Sequence, residues 1–280
     1  MALDSVLDES LKTLYRSFVG KLNWLSCNTR PEIKFDVFRL SSCTAPKVED
    51  LFSIRKTIKK LQHGPKHILF PKLNISDLSV TVYSDASLGN LDNGIHSCKA
   101  YIIFLYDNER CCAVDWNTKK INKVCTNTLE AETRALHFGI KHGEFLKESL
   151  CEILGIGTAD LPIKCIVDNK SLWKACYSEN NVSDPTLRRV IAAIQQKITR
   201  GKVTLVDWKK SAEMLADTLT KSERVDIKKL ARILETGRLK NKPTETCSLC
   251  MFLCNNMRSL LSEQKFVLTE CCKLRISVYK

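Results

Sequence analysis

The apolar positions change their period along the chain. Between residues 11 and 62 they fall at helical spacing, first as Leu11, Leu14, Phe18, Leu22 and Leu25, then as Phe35, Phe38, Leu51, Ile54, Ile58 and Leu61. That is the stripe an amphipathic helix buries. Pro31 and Pro46 mark the breaks between these helices, because proline lacks an amide donor and clashes with the preceding turn. Residues 63–77, punctuated by glycine and proline, read as a linker. Beyond them the period shortens to two. Strands are predicted at 78–85, 99–106, 111–116, 163–168 and 203–208.

Helices fill the gaps. One opens at Asn127, with Glu130 three residues on in capping-box spacing. A second follows Asp168. A third has Asp184 as N-cap, Pro185 at its first position and Leu187, Val190, Ile191, Ile194 and Ile198 on one face. A last short helix is expected from about Ser211. The order predicts an α/β domain over 78–240, a mixed five-stranded sheet flanked by helices, preceded by a small helical segment over 1–62. Residues 241–280 keep no period, hold five of the fourteen cysteines and are expected to form a poorly ordered tail.

Four acids stand out in this arrangement. Asp85 closes the first strand, Glu132 lies in the first turns of the first helix, Asp168 ends the fourth strand and Asp217 lies in the last helix. Strand ends and helix starts of this kind meet at one edge of a sheet, where a site can form. Carboxylates gathered there repel one another and raise each other's pKa unless cations accompany them. A set of oxygen donors without His or Cys suits Mg²⁺, with Mn²⁺ as an alternative. Two such ions, about 4 Å apart, would clamp a phosphodiester, with Asp85 the acid best placed to bridge them. Each acid also has a plainer reading: Asp85 as a turn residue, Asp168 as a helix cap, Glu132 and Asp217 as solvated helix residues, and Glu130 as either a cap or a rival to Glu132.

Composition narrows the partner. The formal charge is +13, which favours an anionic partner and above all nucleic acid. Lys119, Lys120 and Lys123 lie just before the helix bearing Glu132, and Asn169, Lys209 and Lys210 follow strand ends near the acids. These six are the candidate nucleic-acid contacts. Trp116, Trp173 and Trp208 sit in apolar contexts that favour core packing over stacking on sugars. The amino-terminal residues are polar and acidic, unlike a secretion signal, and no apolar run reaches membrane-spanning length. An intracellular, cytoplasmic or nuclear, protein is expected, with no membrane partner. Cys98, Cys125, Cys165 and Cys176 lie inside apolar runs and read as reduced core residues. Cys247 and Cys250 have a zinc-like spacing, but the adjacent Cys271 and Cys272 suit one tetrahedral ion poorly; an unrelated extension is the preferred reading.

The motifs "SDAS", "EAET", "DNKS" and "LADTLTK", in this order, resemble the ribonuclease H domain of copia-type retrotransposon Pol polyproteins. The segment "LNWLSCNTRPEIKFDVFRLSS" resembles the connection between reverse transcriptase and ribonuclease H in the same polyproteins. The resemblance covers roughly residues 15–240. It implies a ribonuclease H-like fold, and it implies that Asp85, Glu132, Asp168 and Asp217 are the catalytic, metal-binding acids, with Glu132 rather than Glu130 in the catalytic position. It further implies a two-metal endonuclease acting on the RNA strand of an RNA–DNA hybrid. The His that cellular ribonucleases H carry before their last helix is absent from "DWKKSAEM", as in copia-type enzymes. No Asp-Asp pair occurs, so no polymerase activity is expected. The alternative is a catalytically inactive nucleic-acid-binding or scaffold remnant of such a polyprotein.

Overall fold

The computed structural model describes residues 3–91, 94–178, 182–222 and 227–238. The cysteine-rich segment expected beyond residue 240, with its zinc spacing, lies outside the described residues.

Five strands form one mixed sheet in the order β3-β2-β1-β4-β5. β1 (Ser79–Leu91), β2 (His96–Tyr106) and β3 (Cys111–Lys120) run antiparallel as a meander. β4 (Ile163–Val167) and β5 (Leu205–Trp208) add in parallel on the other side of β1. All five predicted strands are present. The first three are longer than their apolar cores suggest, and they extend into the polar stretches "ASLGN" and "NTKK", because a three-stranded ladder supplies backbone partners whatever the side chains are.

The long helix α4 (Thr128–Leu154) covers one face of the sheet. Asn127 caps it, accepting from the Glu130 amide at 2.9 Å, and Gly155 closes it in the left-handed conformation (φ 64°) that glycine adopts without a Cβ penalty. Leu136, Ile140, Leu146 and Leu150 of α4 pack on Val80, Val82, Tyr101 and Ile163. α5 (Lys170–Tyr177) and α6 (Pro185–Thr199) lie against the same core. The α6 face is as predicted: Leu187, Ile191 and Ile194 are buried, and Val190 and Ile198 pack against the core.

The opposite face carries a second core. Ile102, Phe104, Ala113 and Ile166 of the sheet meet Met214, Leu215, Ala216 and Leu219, and α7 (Ile227–Thr236) adds Leu230, Ile233 and Leu234. Here the structure corrects the sequence expectation. Instead of one helix from Ser211 there are two short 3₁₀ turns, Ser211–Glu213 and Leu215–Leu219, divided by the extended Met214. Met214, Leu215, Ala216, Thr218 and Leu219 are all buried, more than the one-sided stripe of an amphipathic surface helix would bury.

The amino-terminal segment folds as α1 (Glu9–Asn28), a 3₁₀ turn (Pro31–Ile33), α2 (Lys34–Ser42) and α3 (Val48–His63) around its own cluster of Tyr15, Leu22, Ile33, Val37, Leu40 and Ile54. The predicted α1 stripe is partly wrong. Leu14 and Phe18 are exposed, and the buried line runs through Tyr15, Val19, Leu22 and Ser26, the face that packs on Ile33, Val37, Leu40 and Ile54 and from which the Tyr15 hydroxyl donates to the Leu40 carbonyl at 2.8 Å. The segment joins the sheet through Trp116, whose Nε1 donates to the Ser26 carbonyl at 2.6 Å. The nine cysteines among the described residues are free, and Cys98, Cys125, Cys165 and Cys176 are buried as expected.

Candidate active site

Strand register brings the first two acids together. Tyr83 of β1 pairs with Ile166 of β4; Asp85 and Asp168 each lie two residues further along these parallel strands, so they are level with one another. Side-chain alternation sends Val82 and Ser84 toward α4, where both meet Gly139, and turns Asp85 toward the 3₁₀ turns. Glu132 projects from the second turn of α4 and is buried. Asp85, Glu132 and Asp168 each offer an oxygen, and these three lie within 4.8 Å of one another.

Asp217 completes the group less directly. It lies in the second 3₁₀ turn, outside that trio, and is tied to it by Lys221, whose Nζ is 2.7 Å from Asp217 Oδ1 and 3.7 Å from Asp85 Oδ2. Thr220 Oγ1 donates to the same Asp85 oxygen. Side chains of the sheet pin this segment from behind: Thr118 Oγ1 donates to the Leu219 carbonyl at 2.7 Å, and Asn90 Nδ2 to the Thr220 carbonyl at 3.1 Å.

The plainer readings separate cleanly. Asn169, not Asp168, caps α5 by accepting the Leu172 amide at 2.9 Å. This leaves the Asp168 carboxylate to the site, where it accepts from Ser211 Oγ at 2.7 Å. Glu130 supports the cap that Asn127 makes: it accepts from the Thr126 amide and pairs with Arg134 at 2.8 Å and Lys123 at 3.3 Å. Glu132 is the acid turned to the cluster.

Electrostatically the site is under strain. Burial, opposed by Lys221 and reinforced by Asp217 and Asp168, pushes the Asp85 carboxyl up to about 8. Burial and then the Asp85 and Asp168 charges push Glu132 well above the ordinary glutamate range. Glu132 Oε2 is buried and has no hydrogen-bond partner, a condition that ordinarily costs about 1–3 kcal/mol. An orphaned, buried carboxylate oxygen among carboxylate oxygens is the environment a hard divalent cation satisfies. Mg²⁺ or Mn²⁺ therefore fits the donor set of Asp85, Glu132 and Asp168.

The predicted nucleic-acid contacts are scattered in their commitments. Lys119, at the end of β3, stacks with Lys99 on Phe138; Lys120 ends the same strand, facing Cys98 in the register. Lys123 is held by Glu130. Asn169 is the α5 cap. Lys209 pairs with Asp207 at 3.3 Å, and Lys210 is exposed. Trp116 is a core residue, Trp173 packs against the core, and Trp208 is half-buried with Nε1 donating to the Asp168 carbonyl at 2.8 Å. Sequence reasoning missed Ser211, Thr220 and Lys221. The signal for Lys221 was its four-residue spacing from Asp217.

Fold and cluster together define the class: an α/β domain built on a mixed five-stranded sheet, with a carboxylate site at the end of its central strands. No family model matches the chain. A transposon Ty5-1 protein of Saccharomyces cerevisiae is 31% identical over 113 residues, which is 40% of this chain and 35% of that protein; the chain thus spans about a third of that relative's length. Among solved structures, the amino-terminal RNase H domain of Rv2228c from Mycobacterium tuberculosis aligns with 51% of this chain and 91% of its own, at 16% identity and a TM-score of 0.37. LC11-RNase H1 in complex with an RNA/DNA hybrid aligns with 49% and 88%, at 15% identity and 0.33. The foamy viral protease-reverse transcriptase in complex with double-stranded DNA aligns with 70% and 32%, at 12% identity and 0.37. Over these stretches the chain is similar to a yeast transposon protein and, at low identity, to ribonuclease H domains, and the fold rests on the strand order. Among the described residues no helix is long and apolar enough to cross a membrane.

Proposed function

We propose that this chain is a retrotransposon-derived ribonuclease H of the copia type, an endonuclease that hydrolyses the RNA strand of RNA–DNA hybrids. The observation that carries this reading is the convergence of Asp85, Glu132 and Asp168 on one point, with a buried Glu132 oxygen that no protein group satisfies. Asp85, Glu132 and Asp168, with Asp217 beside them, are the residues that would hold Mg²⁺ or Mn²⁺. Bound there, one or two such ions would supply an activated water and stabilise the charge on the leaving oxygen. The protein's own part is positional. The sheet fixes Asp85 and Asp168 side by side, α4 fixes Glu132 across from them, and Ser211 holds one Asp168 oxygen in place. Lys119, Lys120, Lys209 and Lys210 would contact phosphates, giving salt-dependent affinity with little regard for sequence, and the RNA strand would be read through its 2′-hydroxyls. The helical segment 1–62 would be a remnant of the reverse transcriptase carboxyl-terminal region, joined by residues 63–77 to a ribonuclease H unit over 78–240, acting inside the cell.

The test is cleavage of a labelled RNA–DNA hybrid in Mg²⁺, comparing the native chain with Asp85→Asn, and with RNA and DNA duplexes as controls. Hybrid-selective cleavage lost in Asp85→Asn supports the proposal. Equal background signals from both chains, with retained hybrid binding, would replace it by the nucleic-acid-binding remnant, and preferential cleavage of duplex DNA by a different nuclease of the same fold.

A further inference from the structure

The two sides of the acidic cluster differ in a way that the proposed function does not require. On one side the carboxylates have protein partners. Asp85 Oδ2 receives the Thr220 hydroxyl and has the Lys221 ammonium at 3.7 Å, and the same ammonium is 2.7 Å from Asp217 Oδ1. On the other side, Glu132 Oε2 is buried without a partner, beside oxygens of Asp85 and Asp168. The backbone fixes this asymmetry. The Asp217 carbonyl accepts both the Thr220 amide at 3.2 Å and the Lys221 amide at 3.1 Å, and this tight turn delivers the hydroxyl and the ammonium to the same Asp85 carboxylate.

We propose that Lys221 is a resident cation of the site, occupying the Asp85–Asp217 side so that the cluster takes one divalent ion at Asp85, Glu132 and Asp168. A second divalent ion would have to displace the ammonium. The physical reason is charge. An ammonium a few ångströms from a would-be ion position repels that ion strongly in a half-buried setting, while it already neutralises the Asp217 and Asp85 charges that would otherwise attract it. Lys221 is then a positioning residue: it sets how many ions the site holds and keeps Asp217 turned toward Asp85. This inference rests on the metal-site reading of the cluster and narrows its stoichiometry.

Counting bound ions tests it without reference to activity. Free Mn²⁺ would be followed by electron paramagnetic resonance as it is titrated into the full chain, with circular dichroism confirming that each variant is folded. The native chain and Lys221→Arg are expected to bind one Mn²⁺, with any second ion at least about tenfold weaker, given the repulsion above. Lys221→Met, which keeps the length and removes the charge, is expected to bind two ions with the second tightened by about tenfold or more. Glu132→Gln should lose the tight ion. Two ions of similar affinity in the native chain would overturn the inference while leaving the metal site standing, as would one-ion binding in both the native chain and Lys221→Met. No bound ion in any variant would overturn the metal site itself, and this inference with it.

Discussion

Val82 and Gly139 touch so closely that a methyl group on the glycine would come within 2.8 Å of the Val82 Cγ1 and 3.3 Å of the Tyr101 Cβ. Gly143, one turn on, would place its methyl 3.0 Å from the other Val82 methyl. These two glycines let α4 settle directly on β1, and the height of α4 above the sheet sets the distance from Glu132 to Asp85. Gly139→Ala is therefore expected to destabilise the protein. Overpacking of about 1–3 kcal/mol opposes the gain of roughly 1 kcal/mol that alanine brings to a helix. Urea denaturation would show a lower midpoint at an unchanged slope, and Mn²⁺ affinity should weaken with it. A stabilised variant with native Mn²⁺ affinity would mean that α4 has slack.

The site's acids predict a distinctive pH dependence for the metal-free protein. The Asp85 carboxyl is raised from 3.8 to about 8 in the folded state, first by burial. A raised value means that the folded chain holds this proton better than the unfolded chain does. The stabilisation is fully present below about pH 4 and is lost as pH climbs toward 8. Asp85→Asn cannot titrate, so its melting temperature should rise relative to the native chain between pH 5 and pH 9, by more than about 2 °C for a chain of this size. Mg²⁺ should close that gap by stabilising the native chain alone. A constant difference across the range would show that Asp85 is ionised throughout.

Much of this architecture could be read from period and punctuation, because the signals were local. Five strands, the Asn127 and Asp184 caps and the α6 stripe all announced themselves within a few residues. The acids were legible as a set, from their order on the elements, but their pairing was not. That Asp168 is free for the site depends on Asn169 taking the cap, and either residue type could have done so. The rest needed tertiary information. Leu14 and Phe18 share α1 with Tyr15 and Val19, and which side turns inward depends on the distant partners Ile33, Val37, Leu40 and Ile54 and on the bond from Tyr15 to the Leu40 carbonyl. Ser211, Thr220 and Lys221 became visible as site residues once two 3₁₀ turns replaced the expected helix.

The hydrogen bond from Trp116 to the Ser26 carbonyl links the helical segment to β3 and predicts how the two parts communicate. Ser26 is fully buried and Trp116 nearly so. Trp116→Phe keeps the packing but leaves that carbonyl without this donor, an expected loss of about 1–3 kcal/mol. If the segment is a unit docked through this contact, hydrogen exchange should accelerate across α1 and α2 while β1 and β4 stay protected. Uniform acceleration in both parts would show that they unfold together.

Lys123 and Lys210 should respond differently to substitution, although the sequence presents both as basic residues near the acids. Lys123 is bound to Glu130, 3.3 Å away, within the network that caps α4. Lys210 is exposed and has no carboxylate partner among the described residues. A lysine already paired has less to gain from a phosphate, since binding must first break the existing contact. Lys210→Ala is therefore expected to weaken hybrid binding and to lower the slope of log affinity against log salt by about one. Lys123→Ala should leave that slope nearly unchanged and shift thermal stability slightly instead. Fluorescence anisotropy with a labelled hybrid at several salt concentrations measures both slopes. Equal losses would mean that Lys123 exchanges Glu130 for phosphate on binding, which would make the α4 cap part of the nucleic-acid interface.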